Sequence, residues 1–442
     1  MKNINLKFEG ENTLITILKF SLPSSFGSII GMLCVLTDRY FIGQVAGRGG
    51  MAAVALVFPY AMIINSFNFL FSGIAINIGV KLGENKTEDA QEILTCGFLW
   101  IIITGFFLSF FLWIFNDSLL SLLGASKTNF SFAKEYTKFL IPISIFQMFL
   151  GQSSLIRGVG DSVSAMGINI ATGVINIILD YIFIIKLNMG LKGASLATFI
   201  ATFLTGLYVV FYFYKSPVIT YSKKYLHLNL NILKDIFKIG SPRFYNQLLQ
   251  SALITSTNRQ AGFYGGDIAT AAIGIISITR SIINTSLQGF NQGTAAIISY
   301  SFGSHNLKRI KEVLKIQLFT VIGISSSLVF LILVHADFVV KFFIKNDPIL
   351  VKFTVHAMRL NLCLMIFTAI FLACNNFFQA IKRNKIATNF FFIRILLLNI
   401  PLVYILPLFL KENGVWLAFP ISDTIVCFLM GILTYKEYKK FI

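Results

Sequence analysis

Two aspartates stand inside long apolar runs, Asp38 in "VLTDRYFIG" and Asp180 in "NIILDYIFI". A carboxylate removed from water is costly in its charged form, so it takes up a proton, a cation or a basic partner. Asp38 lies five residues before Gly43, and Asp180 six before Lys186. If each run is a helix, both carboxylates sit about 8–9 Å from the same end of the bundle, at 1.5 Å per residue. Asn176 is one turn before Asp180 and shares its face. On the following run Thr198 reaches a similar depth, with Ala194 one turn before it, and Tyr136 enters the same layer from another run. Carboxyl, amide and hydroxyl oxygens at one depth suit Na+; the carboxylates alone suit a proton. Arg39 adjoins Asp38, so an ion pair at an interface is the plainer reading of that residue. Adjacent helical residues point about 100° apart, which turns Arg39 elsewhere.

The elements that position these residues follow from composition. The chain has 442 residues, 56% hydrophobic and only 13% charged, with mean hydropathy +0.76. Charged residues are about half as frequent as in soluble domains. The apolar runs are long enough for membrane-spanning helices. Twelve are legible, approximately 14–42, 51–80, 93–115, 135–156, 164–185, 193–214, 236–258, 269–300, 313–335, 351–380, 388–409 and 415–435. The first is too long for a cleavable signal peptide, and no small-residue cleavage site follows a short apolar core.

The net charge of +18 would suggest nucleic acid in a soluble protein. With both termini cytoplasmic, 21 of the 37 Lys and Arg fall in cytoplasmic segments, Arg157 among them. That asymmetry follows the positive-inside rule and accounts for the charge without a nucleic-acid partner. The five cysteines show no CxxC and read as small core residues; the four histidines form no ligand set.

The chain repeats itself. "SLPSSFGSII" superposes on "GSPRFYNQLL", with Pro23 on Pro242. Further along, Gly73 meets Gly293, Gly83 meets Gly303, and "GASLA" meets "GVWLA". Each half holds six spans, so the halves insert in the same sense, a parallel repeat of the kind transporters use. The expected organisation is a first lobe over 1–214, a cytoplasmic linker over 215–235 and a second lobe over 236–442. Asp38 aligns with Thr257 and Asp180 aligns near Leu402, so the second half lacks both carboxylates. Pro23 and Pro242 kink their helices, as static bends or as hinges. The arginines within spans, Arg243, Arg280, Arg359 and Arg394, line a cavity, snorkel to an interface or brace helix pairs.

"FSLP", "DRYFIG", "RGVGDS", "NIILDYIFI", "GLKGASLAT" and "GVWLAFPISD" together resemble the multidrug and toxic compound extrusion (MATE) transporters, over nearly the whole chain. The resemblance implies an all-α membrane protein with twelve transmembrane helices in two six-helix lobes. It implies an antiporter, not an enzyme, that exchanges H+ or Na+ for cationic amphipathic compounds. In the DinF-like branch the cation site lies in the first lobe. Carried over by motif, its members here are Asp38, Asn176, Asp180 and Thr198, with the Ala194 carbonyl and Tyr136, and Pro23 as the bending point. NorM-like members place carboxylates in the second lobe, where this sequence has Gln247, Gln250, Asn375 and Asn376. Those four, with Arg39 and Arg280, are the expected substrate-cavity residues. The implied setting is the bacterial inner (cytoplasmic) membrane, as a monomer in the lipid bilayer, with small organic cations as partners and no cofactor beyond the coupling ion. The alternative is a lipid-linked oligosaccharide flippase of the same superfamily, which needs a large cationic cavity.

Overall fold

The computed structural model describes residues 12–122, 127–151, 153–343 and 348–440. No strand occurs among them. The helices are α1 (Thr13–Phe71), α2 (Gly73–Gly83), α3 (Thr87–Ile114), α4 (Asn116–Leu122), α5 (Lys127–Gly151), α6 (Ser153–Gly158), α7 (Ser162–Asp180), α8 (Gly190–Tyr214), α9 (Leu230–Gly303), α10 (Leu307–Val334), α11 (Ala336–Phe343), α12 (Pro348–Leu362), α13 (Met365–Ala380), α14 (Asn384–Phe392), α15 (Ile400–Leu410) and α16 (Glu412–Lys440). Wider π-helical turns follow α7, at Tyr181–Lys186, and join α14 to α15, at Ile393–Asn399.

Among the described residues, nine segments are long and apolar enough to cross a bilayer, and α12 with α13 forms a tenth, bent by 42°. The remaining two expected spans are the halves of α9, which breaks at Gly266 with φ 62° and ψ −152°. Only glycine adopts that conformation readily. The halves of α9 are less apolar because they carry Arg243, Asn246, Gln247, Arg280 and Gln292. These twelve spans form the two six-helix lobes of the expected all-α fold. Large apolar side chains face outward, as Phe106, Phe107, Phe110 and Trp113 do on α3. A surface this apolar suits hydrocarbon rather than water.

The repeat is visible in the turns. Asn85 and His305 occupy equivalent positions, and both take positive φ, 58° and 55°. In each turn the next residue donates back five positions, from Lys86 to Lys81 O and from Asn306 to Ser301 O. Gly160 and Lys382 make a second such pair, at φ 89° and 59°. Asparagines open helices where free N–H groups need an acceptor: Asn12 serves Leu14 and Ile15, Asn229 serves Asn231 and Ile232, and Asn306 serves Arg309.

The lobes meet along a glycine seam. A Cβ on Gly83 would fall on the Tyr300 carbonyl, and a Cβ on Gly303 on the Val80 carbonyl. Gly73 abuts Ile236 and Gly240, while its repeat mate Gly293 abuts Phe20 and Ser21. Ser21 is the repeat mate of Gly240, so the contact is made twice, with the halves exchanged. This is what a parallel repeat about an axis between the lobes predicts. Polar cross-links lie at the same end of the bundle, where Thr13 and the α16 C-terminus also sit. Thr13 donates to Glu312 at 2.7 Å, Arg309 to Thr16 at 3.2 Å, and Lys382 to Asn77 at 2.6 Å.

The stretch from Lys215 to Asn229 joins the lobes, with one 3-10 turn at Lys223–Tyr225. It runs along α3: Ser222 N donates to Thr95, Trp100 to Asn229 O, and Asn229 to Glu92. Here the structure adds to the histidine reading, placing one of the four beside a carboxylate and a thiol. Glu92, Cys96 and His227 bring their donor atoms within 4.8 Å of one another. The Cys96 thiol donates to the Tyr225 and His227 carbonyls, so the group also ties the linker down. The cysteine reading needs one correction, because Cys363 is exposed.

Candidate cation and substrate site

Helices α1 and α7 approach closely because both present small residues. A Cβ on Gly173 would strike the Cys34 thiol, and Gly27 lies against Asn169. Cys34 and Asp38 share one face of α1, four residues apart; Gly173, Asn176 and Asp180 share one face of α7. The two faces meet, so Asp38 and Asp180 come within electrostatic reach of each other. Asp180 is fully buried, at 0% exposure, and neither of its carboxyl oxygens has a hydrogen-bond partner among the described residues. It is the last α-helical residue before the π turn. Asn176 Nδ2 donates to Thr198 Oγ1 at 3.3 Å, and Thr198 donates in turn to the Ala194 carbonyl at 3.0 Å.

A cavity of about 590 Å³ opens beside this cluster. Asp38, Tyr136, Asn176 and Thr198 line it; Asp180 and Ala194 lie behind the wall. The structure thus assembles these six residues from four helices. The cavity belongs mainly to the first lobe, with Arg243, Thr285, Gln288 and Gln292 of α9 closing one side. The glycine seam shuts it at the terminal end.

The expected substrate-cavity residues are placed differently. Gln247, Gln250, Arg280, Asn375 and Asn376 are not among the lining residues, and the Arg39 side chain falls outside those described. Asn375 and Asn376 are buried in a polar web: Asn376 donates to Asn291 O at 2.9 Å and Gln379 to Asn375 at 2.6 Å. Helix α1 continues through Pro23 and α9 through Pro242.

Arg157 was missed as a cavity residue, and Arg243, for which the sequence left cavity, interface and brace open, faces the cavity. Arg157, counted from sequence with the loop charges, lies on the cavity wall with 5% exposure and donates to Gln292 at 2.7 Å. Arg243 also lines the cavity, donating to Gln379 at 3.0 Å, Asn376 at 3.3 Å and Ser72 at 3.5 Å. The signal was available: the repeat sets Arg243 against Ser24. The second lobe does hold a buried carboxylate, Asp423, at a position equivalent to neither Asp38 nor Asp180. Arg394 pairs with it at 2.7 Å, Thr368 donates to it, and Arg280 stands near. Arg280 itself donates to Asn361 at 3.0 Å and stacks over Phe419, its guanidinium carbon 4.3 Å from the ring centre. Arg280 and Arg394 therefore brace helices.

Two six-helix lobes of membrane-spanning length around a polar cavity have the architecture of a membrane transporter. The MatE family model matches residues 23–182 and 242–405, beginning at Pro23 in one half and Pro242 in the other. The chain belongs to the MatE family. It is 24% identical, over 97% of its length and 95% of the relative's, to the multidrug export protein MepA of Staphylococcus haemolyticus. MepA of Staphylococcus aureus strain NCTC 8325 is equally similar, at 24% over 438 residues. A solved outward-facing multidrug resistance MATE family transporter superposes with a TM-score of 0.94 at 22% identity, covering 100% of this chain and 99% of that one.

Proposed function

We propose that the protein is a cation-coupled multidrug antiporter that exports amphipathic compounds carrying a cationic centre by alternating access between its lobes. The single observation that carries this reading is Asp180: a fully buried carboxyl without a hydrogen-bond partner among the described residues, behind the wall of a drug-sized cavity and within reach of Asp38. An uncompensated buried carboxylate is expensive, so the site calls for a proton or a Na+. Asn176 and Thr198 supply neutral oxygens beside it.

In the mechanism, the outward-open cavity holds its cargo near Asp38. A proton or Na+ then enters between Asp38 and Asp180. Neutralising the pair removes the attraction for the cationic end of the cargo and changes the contacts of α1 with α7, bending α1 about Pro23. The lobes then rock about the seam and release the ion to the cytoplasm, with both termini on that side. The setting is a bacterial cytoplasmic membrane. A volume of about 590 Å³ fits a drug-sized molecule. It is small for a lipid-linked oligosaccharide, and the relatives are named multidrug export proteins.

The test is dye efflux from everted vesicles with the proton and sodium gradients imposed separately. One gradient should drive ethidium transport and the other should not. Absence of transport under both would overturn the reading.

A further inference from the structure

We propose that the closed end of the cavity binds an anionic group, a carboxylate or phosphate, through Arg157 and Arg243, so that the protein selects zwitterionic amphiphiles. The inference rests on the multidrug-export reading and names its substrate class.

The charge balance of the cavity carries it. Arg157 and Arg243 line the same cavity wall and the same recess behind it. Among the described residues no carboxylate lies within ion-pair distance of either; their partners are Gln292, Gln379, Asn376 and Ser72, all neutral. Two guanidiniums of the second lobe are compensated: Arg394 pairs with Asp423, and Arg280 stands near that carboxylate. Two uncompensated cations in a low-dielectric interior are unfavourable, and glutamine would brace the helices without that cost. A bound anion removes the penalty.

The donor inventory agrees. A guanidinium carries five N–H donors arranged to grip a carboxylate or phosphate two at a time. Arg157 commits one nitrogen, to Gln292. Its remaining donors are open to a ligand at the wall. Beyond the two arginines a recess of about 30 Å³ continues, lined also by Ser72, Ser154, Gln292 and Ser299.

The opposite end has the opposite sign. Gly27 and Asp38 both line the cavity and lie eleven residues apart on α1, about 16 Å at helical rise. Tyr136, in the layer of Asp38, and Arg157 also both line the cavity and lie twenty-one residues apart in the span Ala133–Gly158, so Asp38 stands at one end and Arg157, with Arg243 beside it on the recess, at the other. A ligand with only positive charge meets repulsion at the closed end, whereas a zwitterion places its anionic group on the arginines and turns its cationic part toward the Asp38 end.

A matched dye pair tests this: rhodamine 6G, a cationic ethyl ester, and its free acid, a zwitterion with the same ring system. Binding to the detergent-purified protein is read by fluorescence polarisation, with melting temperature as the folding control. The wild-type protein should bind the acid about tenfold more tightly than the ester, each tenfold step being one decade of Kd. Arg157→Gln and Arg243→Gln should bring the affinity for the acid down to that of the ester. Arg157→Lys, which keeps the charge, should retain part of the preference and serves if the glutamine variants do not fold. Equal wild-type affinity for the two dyes, or a preference that survives Arg157→Gln and Arg243→Gln, overturns the proposal. Efflux is read separately. A binding preference without export sinks the multidrug reading and leaves the anion site; export without preference does the reverse.

Discussion

Arg394 holds Asp423 through two hydrogen bonds, Nε to Oδ1 at 2.7 Å and Nη2 to Oδ2 at 3.0 Å, inside the second lobe. Both side chains are nearly sealed, at 6% and 1% exposure. Thr368 adds a third donor to the carboxylate, and the Arg394 guanidinium lies 5.0 Å from the centre of the Phe371 ring. Charge and hydrogen bonding are satisfied together, so this pair is structural, and it joins the π segment to α16. Removing one partner strands the other. Asp423→Asn should destabilise the protein by about 3–5 kcal/mol, the usual penalty for breaking a buried pair. Replacing both residues with apolar ones of similar volume should recover much of the loss. Thermal melting of the single and double variants in detergent checks both; a double variant no better than the worse single would refute the structural role.

At the loop between α2 and α3, Glu84 accepts from Lys81 and Lys86, each at 3.1 Å. Partial burial pushes its carboxyl up. The hydrogen bonds and charges of the two lysines together outweigh burial and hold it below the usual carboxylate range. A carboxyl whose folded pKa is depressed contributes stability above its unfolded pKa. That contribution is lost as pH falls through the folded value. Glu84→Gln should therefore cost up to about 1 kcal/mol at pH 7, the range of partly exposed pairs. The cost should shrink as the pH drops below about 4. Melting temperatures of wild type and variant against pH should converge on the acid side, and parallel curves would contradict the assignment.

The spans were legible because a bilayer demands long apolar runs, and Asp38 and Asp180 were legible because charges are rare within them. Even α9, too polar for a hydropathy criterion, was predictable from the repeat, since its halves mirror the first two spans. The basic end of the cavity was harder to read. Arg157 stands at the helix end just before the turn at Gly160 and reads as a loop charge until tertiary packing turns it inward. Asn375 and Asn376 look like cavity polars on α13, yet they pack into a web with Arg243, Asn291 and Gln379, which is set by neighbours distant in sequence. Asp423 lies 29 positions from Arg394, and nothing local marks the two as partners.

The glycine seam bears on how the lobes move. A Cβ at Gly240 would fall on the Leu70 backbone and one at Gly303 on that of Val80, and backbone cannot rotate aside. Gly240→Ala and Gly303→Ala should wedge the lobes apart at the terminal end and favour opening there. A single cysteine at Ala295, on the recess behind the arginines, should then label faster with a water-soluble thiol reagent. Gly167→Ala, where an added Cβ meets nothing within 4 Å, is the control and should leave labelling unchanged. Equal labelling in all variants would show that the seam does not set the closed state.

Asp180 differs from Asp423 in the respect that decides its role. Asp423 has an arginine and a threonine; Asp180 has no hydrogen-bond partner among the described residues, and its neighbour in charge is another aspartate. Asp180→Asn removes the charge while keeping the shape. Folding should be unharmed or improved, because an unfavourable buried charge disappears. Ion-driven dye efflux should fall to the vector background, since a side chain that neither takes up a proton nor neutralises a cation cannot couple the cycle. Asp38→Asn should abolish efflux as well, since Asp38 forms the cavity-facing half of the same pair. Melting temperature and vesicle efflux measured on the same preparations separate the two effects. Full efflux in both variants would remove these carboxylates from the coupling mechanism, whereas loss of efflux with loss of fold would return Asp180 to a structural role like that of Asp423.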